Sequence, residues 1–188
     1  FTDLEGSTAL WEHNRRTMPT ALARHDAILD EVVEAHHGVV VKHRGEGDSF
    51  FIVFPRASEA VAAALAIQRA LQAEPWQTAQ PLRARLGLHT GEAELRDNDY
   101  FGAAVNRCAR IRGIGHGGQV LLSEVTAALA RDALPAGADL VDLGEHRLKD
   151  LARPEHIFQV IAPDLPSDFP PVVPLDMHPH NLPIQTTP

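Results

Sequence analysis

The sequence contains a single cysteine, Cys108, among its 188 residues. One thiol cannot form a disulfide within the chain, so the sequence favours a reducing compartment and we expect a cytoplasmic protein. Long apolar runs are also missing, because none approaches the roughly 20 residues that a membrane-spanning helix needs. We therefore expect no membrane partner and no signal peptide before Phe1. The chain starts without Met and within a predicted strand, so we expect a piece of a longer protein.

Positive charge is scarce in this sequence. Lys and Arg number 17 against 25 Asp and Glu, which gives a net charge of −8. Such a surface repels a nucleic-acid backbone, so we expect no direct nucleic-acid binding by this domain. A nucleotide site is still compatible with the charge, since it needs only a few local cations and a divalent metal ion. The 44% hydrophobic content is that of an ordinary globular domain.

Apolar periodicity predicts helices that alternate with strands and hairpins. The predicted helices cover about 7–14, 21–37, 57–74, 102–114 and 123–134. The predicted strands cover about 1–4, 39–44, 48–54, 82–95 with a bulge at Gly91, 119–122, 140–148 and 156–161. This order predicts an α+β sandwich, a mostly antiparallel sheet with helices on its faces. Proline is frequent from residue 163 to residue 188, which predicts a linker there.

The first chemical motif is Phe1-Thr2-Asp3-Leu4-Glu5-Gly6-Ser7-Thr8. A strand ends here with the acid Asp3, and a helix starts at once. The free N–H groups of a helix N-terminus can bind an anion, so Gly6, Ser7 and Thr8 are candidate phosphate-binding residues. An acid in such a turn is equally compatible with a simple helix N-cap.

A second acid, Asp48, lies at the tip of a predicted hairpin in Gly45-Glu46-Gly47-Asp48-Ser49. A turn chosen only for its geometry would look the same. If the first strand neighbours this hairpin, however, Asp3 and Asp48 meet. Two converging carboxylates repel each other unless a cation such as Mg²⁺ or Mn²⁺ neutralises them. Such a pair can hold two metal ions for phosphoryl chemistry.

The third motif runs from Asp99 to Arg110 and includes Asn106. Asn106 and Arg110 are four residues apart, so they share one face of the predicted helix. An amide and a guanidinium on one face can orient a sugar and neutralise a phosphate oxyanion. The alternative is a solvated surface face with no binding role.

Together the three motifs resemble the class III nucleotidyl cyclase catalytic domain over residues 1–162. The carrying segments are F-T-D-L-E-G-S-T, G-E-G-D-S-F and D-Y-F-G-x-x-V-N-R-C-A-R. The resemblance implies a ferredoxin-like α+β core and a head-to-tail homodimer with sites at the interface. It also implies an adenylate cyclase, in which the ribose 3′-OH of ATP attacks the α-phosphate and pyrophosphate leaves.

The resemblance also implies roles for individual residues. Asp3 and Asp48 would bind two Mg²⁺ or Mn²⁺ ions per site, with the Leu4 carbonyl as a further ligand. Asn106 would orient the ribose, and Arg110 would stabilise charge on the α-phosphate.

Lys149 falls where the family has a lysine that binds the triphosphate. Gly6, Ser7 and Thr8 would bind the same triphosphate. A lone lysine near a strand end is otherwise usually a solvated surface charge.

Base recognition is where the sequence departs from the family. Adenine-selective members resemble K-x-x-G-D, and Arg44 stands at the place of that lysine, with Lys42 two residues earlier. Arg presents donors only, so Arg44 can serve adenine N1 or guanine O6 and N7. Asp99, seven residues before Asn106, can accept from either base. The sequence favours ATP, with relaxed ATP/GTP selectivity as the alternative, and Arg44 and Asp99 could also simply pair with each other.

A second functional class is also open, a nucleotide-sensing module with little turnover. Residues 166–188 resemble the linker of bacterial regulators in which a cyclase domain precedes an ATPase domain and a DNA-binding helix-turn-helix. A diguanylate cyclase is disfavoured, because the hairpin reads G-E-G-D-S and the sequence has no G-G-D/E-E-F-like run.

If Arg44 reads the base, Arg44→Lys should raise the ratio of ATP to GTP turnover several-fold, because lysine restores the residue of adenine-selective members. The measurement compares product formation from the two nucleotides in parallel assays. An unchanged ratio would show that Arg44 does not contact the base.

Overall fold

The computed structural model describes residues 1–43 and 48–172, without the side chains of Lys42 and His43. The helices are α1 (Ser7–His13), α2 (Met18–Ala35), α3 (Ala57–Ala73), α4 (Ala103–Gly113) and α5 (Glu124–Ala130), the last followed by a 3₁₀ turn at Arg131–Ala133. The strands are β1 (Thr2–Leu4), β2 (Val39–His43), β3 (Phe50–Val53), β4 (Ala84–Leu88), β5 (Glu94–Arg96), β6 (Asp99–Phe101), β7 (Val120–Ser123), β8 (Asp139–His146) and β9 (Glu155–Ile161). No helix within the described ranges is long and apolar enough to cross a bilayer.

Five strands form the main sheet, in the order β1-β4-β7-β9-β8. Three of its four pairings are antiparallel, and β4 and β7 are parallel. Two antiparallel hairpins, β2-β3 and β5-β6, stand beside it. The predicted α+β class with a mostly antiparallel sheet is therefore confirmed.

Strand β7 shows that helices cover both faces of the main sheet. Val120 and Leu122 belong to the large core cluster with α2, α3 and α5. Leu121, between them, belongs to a second cluster with Ile111 of α4. Since successive side chains of a strand point to opposite faces, α3 and α4 lie on opposite sides of the sheet.

Helix α4 lies unusually close to β4 at Gly87. A Cβ atom at this position would be 2.7 Å from the Cα of Arg112, which is closer than real contacts allow. Glycine therefore permits the C-terminal end of α4 to rest directly on the strand. As a result, the backbone of Arg112 lies against β4, which is the strand that pairs with β1.

The predicted strand over 82–95 is wrong. Strand β4 ends at Leu88, and β5 begins a separate hairpin with β6. Asp97 and Asn98 form the turn of that hairpin with φ of 50° and 58°, the left-handed pair that a two-residue hairpin loop requires. Gly91 accordingly lies in a loop rather than in a bulge.

The predicted helix over 123–134 is too long, because α5 ends at Ala130. Ser123 occupies the N-cap position without a side-chain capping bond. Its hydroxyl is instead shared between Thr126 and the ring of His89.

The first ten residues of the predicted linker pack against the domain. Arg69 forms a bidentate ion pair with Asp164, at 2.6 and 2.9 Å. The Gln159 amide donates to the Ser167 carbonyl at 2.8 Å, and Val172 is buried in the second cluster. The domain boundary at 162/163 stays a prediction, and residues 173–188 lie outside the described part.

A hydrogen-bonded group joins the end of β4 to α5. His89 Nδ1 is 2.8 Å from Ser123 Oγ, and Thr126 Oγ1 is 3.0 Å from both Ser123 Oγ and Thr90 Oγ1. Burial, with a smaller contribution from the charge of Arg107, lowers the pKa of His89 to about 4. The folded protein thus holds this imidazole neutral at physiological pH.

His89 should make stability depend on pH. The unfolded chain binds a proton here near pH 6.5, whereas the folded chain does so only near pH 4. The free energy of unfolding should therefore fall as pH drops from 6.5 to 4, by up to about 3 kcal/mol from this residue. Urea unfolding of His89→Asn at pH 7 and pH 4 should show a smaller loss than the wild type. The exposed variant His13→Gln is the control, and an undiminished loss in His89→Asn would contradict the assignment.

Candidate active site

The structure brings Asp3 and Asp48 to one place. Both side chains are buried, at 7% and 3% exposure. The residue after Asp48 binds the first acid directly, since Ser49 Oγ donates to Asp3 Oδ1 at 2.9 Å. The backbone N–H of Phe50 donates to Thr2 Oγ1 at 3.3 Å. The chain at the start of β3 therefore docks on β1, which brings Asp48 within reach of the charge of Asp3.

Asp48 lies in an environment that suits a cation. Burial raises the pKa of its carboxyl, a hydrogen bond with Ser7 lowers it, and the charge of Asp3 raises it again. Asp48 Oδ2 is buried and has no hydrogen-bond partner among the described residues. A buried carboxylate oxygen without a donor is costly. Beside a second carboxylate, it fits the oxygen ligands that a divalent cation prefers.

Two arginines already neutralise Asp3. Arg85, its cross-strand neighbour on β4, donates from Nε to Asp3 Oδ2 at 2.7 Å and also from Nη2. Arg112 of α4 places Nη1 at 3.5 Å from Asp3 Oδ1. Sequence reasoning missed both arginines and Ser49. Only Arg85 carried a signal, because pairing of the first strand with 82–88 would have placed a cation opposite the acid.

Asn106 and Arg110 have other surroundings than the two carboxylates. Asn106 is exposed on α4, and Arg110 Nη2 is 2.5 Å from Asp150 Oδ2. No hydrogen bond or ion pair among the described residues joins either of them to Asp3 or Asp48. Within one chain, the predicted catalytic pair therefore does not bond to the carboxylates.

The remaining predicted residues are scattered around these two groups. Lys149 is exposed in the turn after β8, next to Asp150. Asp99 is buried at the start of β6, where its Oδ1 accepts from the Tyr100 N–H at 2.9 Å. Arg44 lies outside the described residues.

The residues predicted to bind phosphate differ in accessibility. Gly6 is exposed at the N-cap of α1 with φ of 65°, and Thr8 is exposed in its first turn. Ser7 is half-buried because its side chain hydrogen-bonds Asp48. Leu4 ends β1 opposite Ala84, and its side chain belongs to the core.

Comparison with known families identifies the domain. Residues 1–161 match the family model described as "Adenylate and Guanylate cyclase catalytic domain". The chain belongs to the adenylate and guanylate cyclase family. The ferredoxin-like class III cyclase fold expected from the three motifs is thus confirmed.

Relatives of this cyclase domain are found in bacteria and eukaryotes. It is 47% identical over 172 residues to the Mycobacterium tuberculosis protein named "Uncharacterized protein Rv0891c", a match that covers 92% of the chain but 58% of that relative. It is 29% identical to the adenylate cyclase of Neurospora crassa over 85% of the chain and 9% of that protein. A Trypanosoma brucei adenylate cyclase structure in its monomeric state superposes with a TM-score of 0.77 at 26% identity, covering 89% and 88% of the two chains.

The raised pKa of Asp48 makes a stability prediction for the cyclase domain. The folded chain binds this proton at higher pH than the unfolded chain, so stability is lost as pH rises through the raised pKa. In metal-free buffer, Asp48→Asn should raise the midpoint of thermal unfolding at pH 7.5. The expected rise is about 2–4 °C, which about 1 kcal/mol produces in a domain of this size.

This gain should shrink toward pH 4, because the raised pKa makes the wild-type carboxyl increasingly protonated as pH falls. The exposed variant Asp30→Asn serves as the control. A gain of equal size at both pH values would show that the charge of Asp48 is not destabilising.

Proposed function

We propose that the chain is the catalytic domain of an adenylate cyclase that forms 3′,5′-cyclic AMP and pyrophosphate from ATP. The observation that carries the proposal is the buried pair of Asp3 and Asp48, with one oxygen left without a donor, in a member of the cyclase family. Two converging carboxylates in a protein interior are stable only with cations close by.

Asp3 and Asp48 would hold two Mg²⁺ or Mn²⁺ ions, with the carbonyl of Leu4 as a further ligand. When bound, the ions lower the pKa of the ribose 3′-OH and neutralise charge that develops on the phosphates. Burial of both carboxylates excludes water and strengthens these electrostatic interactions. Arg85, which already lies against Asp3, adds a protein cation to this end of the site.

Asn106 would orient the ribose through its amide, and Arg110 would donate to the α-phosphate oxygens as their charge increases. Arg110 must first leave Asp150. Because both side chains of that ion pair are partly solvent-exposed, breaking it costs little. Asp150 therefore holds Arg110 only loosely in the isolated chain.

The phosphate and base subsites complete the proposal. Exposed Gly6 and Thr8 would contact the triphosphate. Lys149, next to Asp150, would bind the triphosphate with its positive charge. Arg44 and Asp99 would read the base, with ATP preferred and GTP as the competing substrate.

A homodimer would unite the two parts of the site. Neither Asn106 nor Arg110 bonds to the carboxylates among the described residues of one chain, so a second copy would supply the missing half. In a head-to-tail dimer each chain would give its carboxylates to one site and α4 to the other. The exposed position of Asn106 agrees with such a role.

A second candidate is a nucleotide-sensing module with little turnover. Two contacts favour it, since Arg110 is paired with Asp150 and Asp3 accepts from Arg85 rather than facing an open cavity. The chain spans 58% of the mycobacterial relative that it matches at 47% identity. From the resemblance of residues 166–188 to a regulator linker, we propose an ATPase domain and a helix-turn-helix in the full-length protein.

A mixing experiment tests the shared site. Asp48→Ala and Arg110→Ala should each reduce cyclic nucleotide formation from ATP at least about a hundredfold, assayed with Mg²⁺ and with Mn²⁺. An equal mixture should recover about a quarter of wild-type activity, because half the dimers are mixed and each of those keeps one intact site of two.

GTP assayed in parallel gives the base preference. Absence of recovery, with mixed dimers verified by differential tagging, would sink the shared-site proposal. Wild-type protein that binds ATP but makes no cyclic product would favour the sensing module instead.

A further inference from the structure

We propose that Arg112 is a built-in counter-cation of the carboxylate pair, and that it weakens the binding of divalent metal ions in the absence of nucleotide. The inference rests on the metal site of the proposed function. It assigns a positioning role to a residue outside the predicted metal, phosphate and base ligands.

The guanidinium of Arg112 lies among groups of the carboxylate site. Its Nη1 is 3.5 Å from Asp3 Oδ1, 3.2 Å from Ser49 Oγ and 3.4 Å from the Thr2 carbonyl oxygen. Only 20% of its side chain is exposed. One cation thus contacts β1 and the segment that carries Asp48 at the same time.

The backbone leaves Arg112 little choice of position. Its Cα rests on β4 at Gly87, where even a methyl group would not fit. The Nε of Arg112 is buried and has no hydrogen-bond partner among the described residues. The guanidinium is therefore held by two hydrogen bonds to neutral oxygens, those of Ser49 and Thr2, and by the charge of Asp3.

The formal charges of the two acids and the two arginines sum to zero without a metal ion. Asp3 and Asp48 can contribute two negative charges, and Arg85 and Arg112, both paired with Asp3, contribute two positive ones. Two divalent cations would add four positive charges to these four residues. A nucleotide triphosphate would supply the missing negative charge, so metal and nucleotide should bind together.

Arg112 is the arginine that would yield first. Arg85 makes two hydrogen bonds to Asp3 Oδ2, whereas the contact of Arg112 with Asp3 Oδ1 is longer and shared with Ser49. Arg112 also follows Arg110 by two residues on α4. A change at the carboxylates would therefore act, through Arg112, on the helix that carries the proposed transition-state arginine.

The test measures Mn²⁺ binding to the nucleotide-free protein, by electron paramagnetic resonance of free Mn²⁺. Arg112→Gln and Arg112→Met remove the charge and keep much of the aliphatic stem, and each should bind Mn²⁺ at least about fivefold more tightly than the wild type. Arg112→Lys keeps the charge and should stay within about twofold of the wild type. The exposed variant Arg131→Gln removes one charge elsewhere and should leave the affinity unchanged.

Thermal melting followed by circular dichroism establishes that each variant is folded. Two neutral variants are used so that one remains informative if the other does not fold. Mn²⁺ affinity that is unchanged or weaker in folded Arg112→Gln or Arg112→Met would overturn the inference.

Asp48→Asn separates this result from the proposed function. If it lowers wild-type Mn²⁺ binding, the metal site stands whatever Arg112 does. If it has no effect, the metal site itself is wrong, and the inference fails with it.

Discussion

The burial of two carboxylates at the junction of β1 and the β2-β3 hairpin is the constraint on which the rest of the site depends. Like charges in a protein interior are tolerated only with compensation. Ser49 and Arg85 supply it to Asp3, and Ser7 supplies it to Asp48. Burial of the two acids therefore depends jointly on β1, the start of β3, β4 and α1.

Helix α4 serves two surfaces at once. Its buried side rests on β4 and directs Arg112 to the carboxylates, whereas its outer side presents Asn106 and Arg110. The close approach at Gly87 makes the inner contact possible. Because a packed helix moves as a rigid unit, the two surfaces cannot shift independently. The same helix thus links the metal half of one proposed site to the catalytic half of another.

The segment after β9 is part of this arrangement. Val172 packs in the second cluster with Leu148, and Leu151 packs against that cluster. These two leucines flank Lys149 and Asp150, the latter paired with Arg110. The chain that leaves the domain therefore lies beneath the loop that holds a proposed catalytic arginine. Proline content predicted the absence of regular structure here, but it could not reveal packing that rests on a few scattered apolar side chains.

Local patterns in the sequence were sufficient for the α+β class and for the common face of Asn106 and Arg110. These features depend on residues that are close in sequence, where periodicity and turn chemistry act. Only the tertiary structure showed the arginines around Asp3, since Arg85 and Arg112 are 82 and 109 positions away from it along the chain. It also decided the break after Leu88, because the end of a strand is set by the neighbour that stops pairing with it rather than by its own residues.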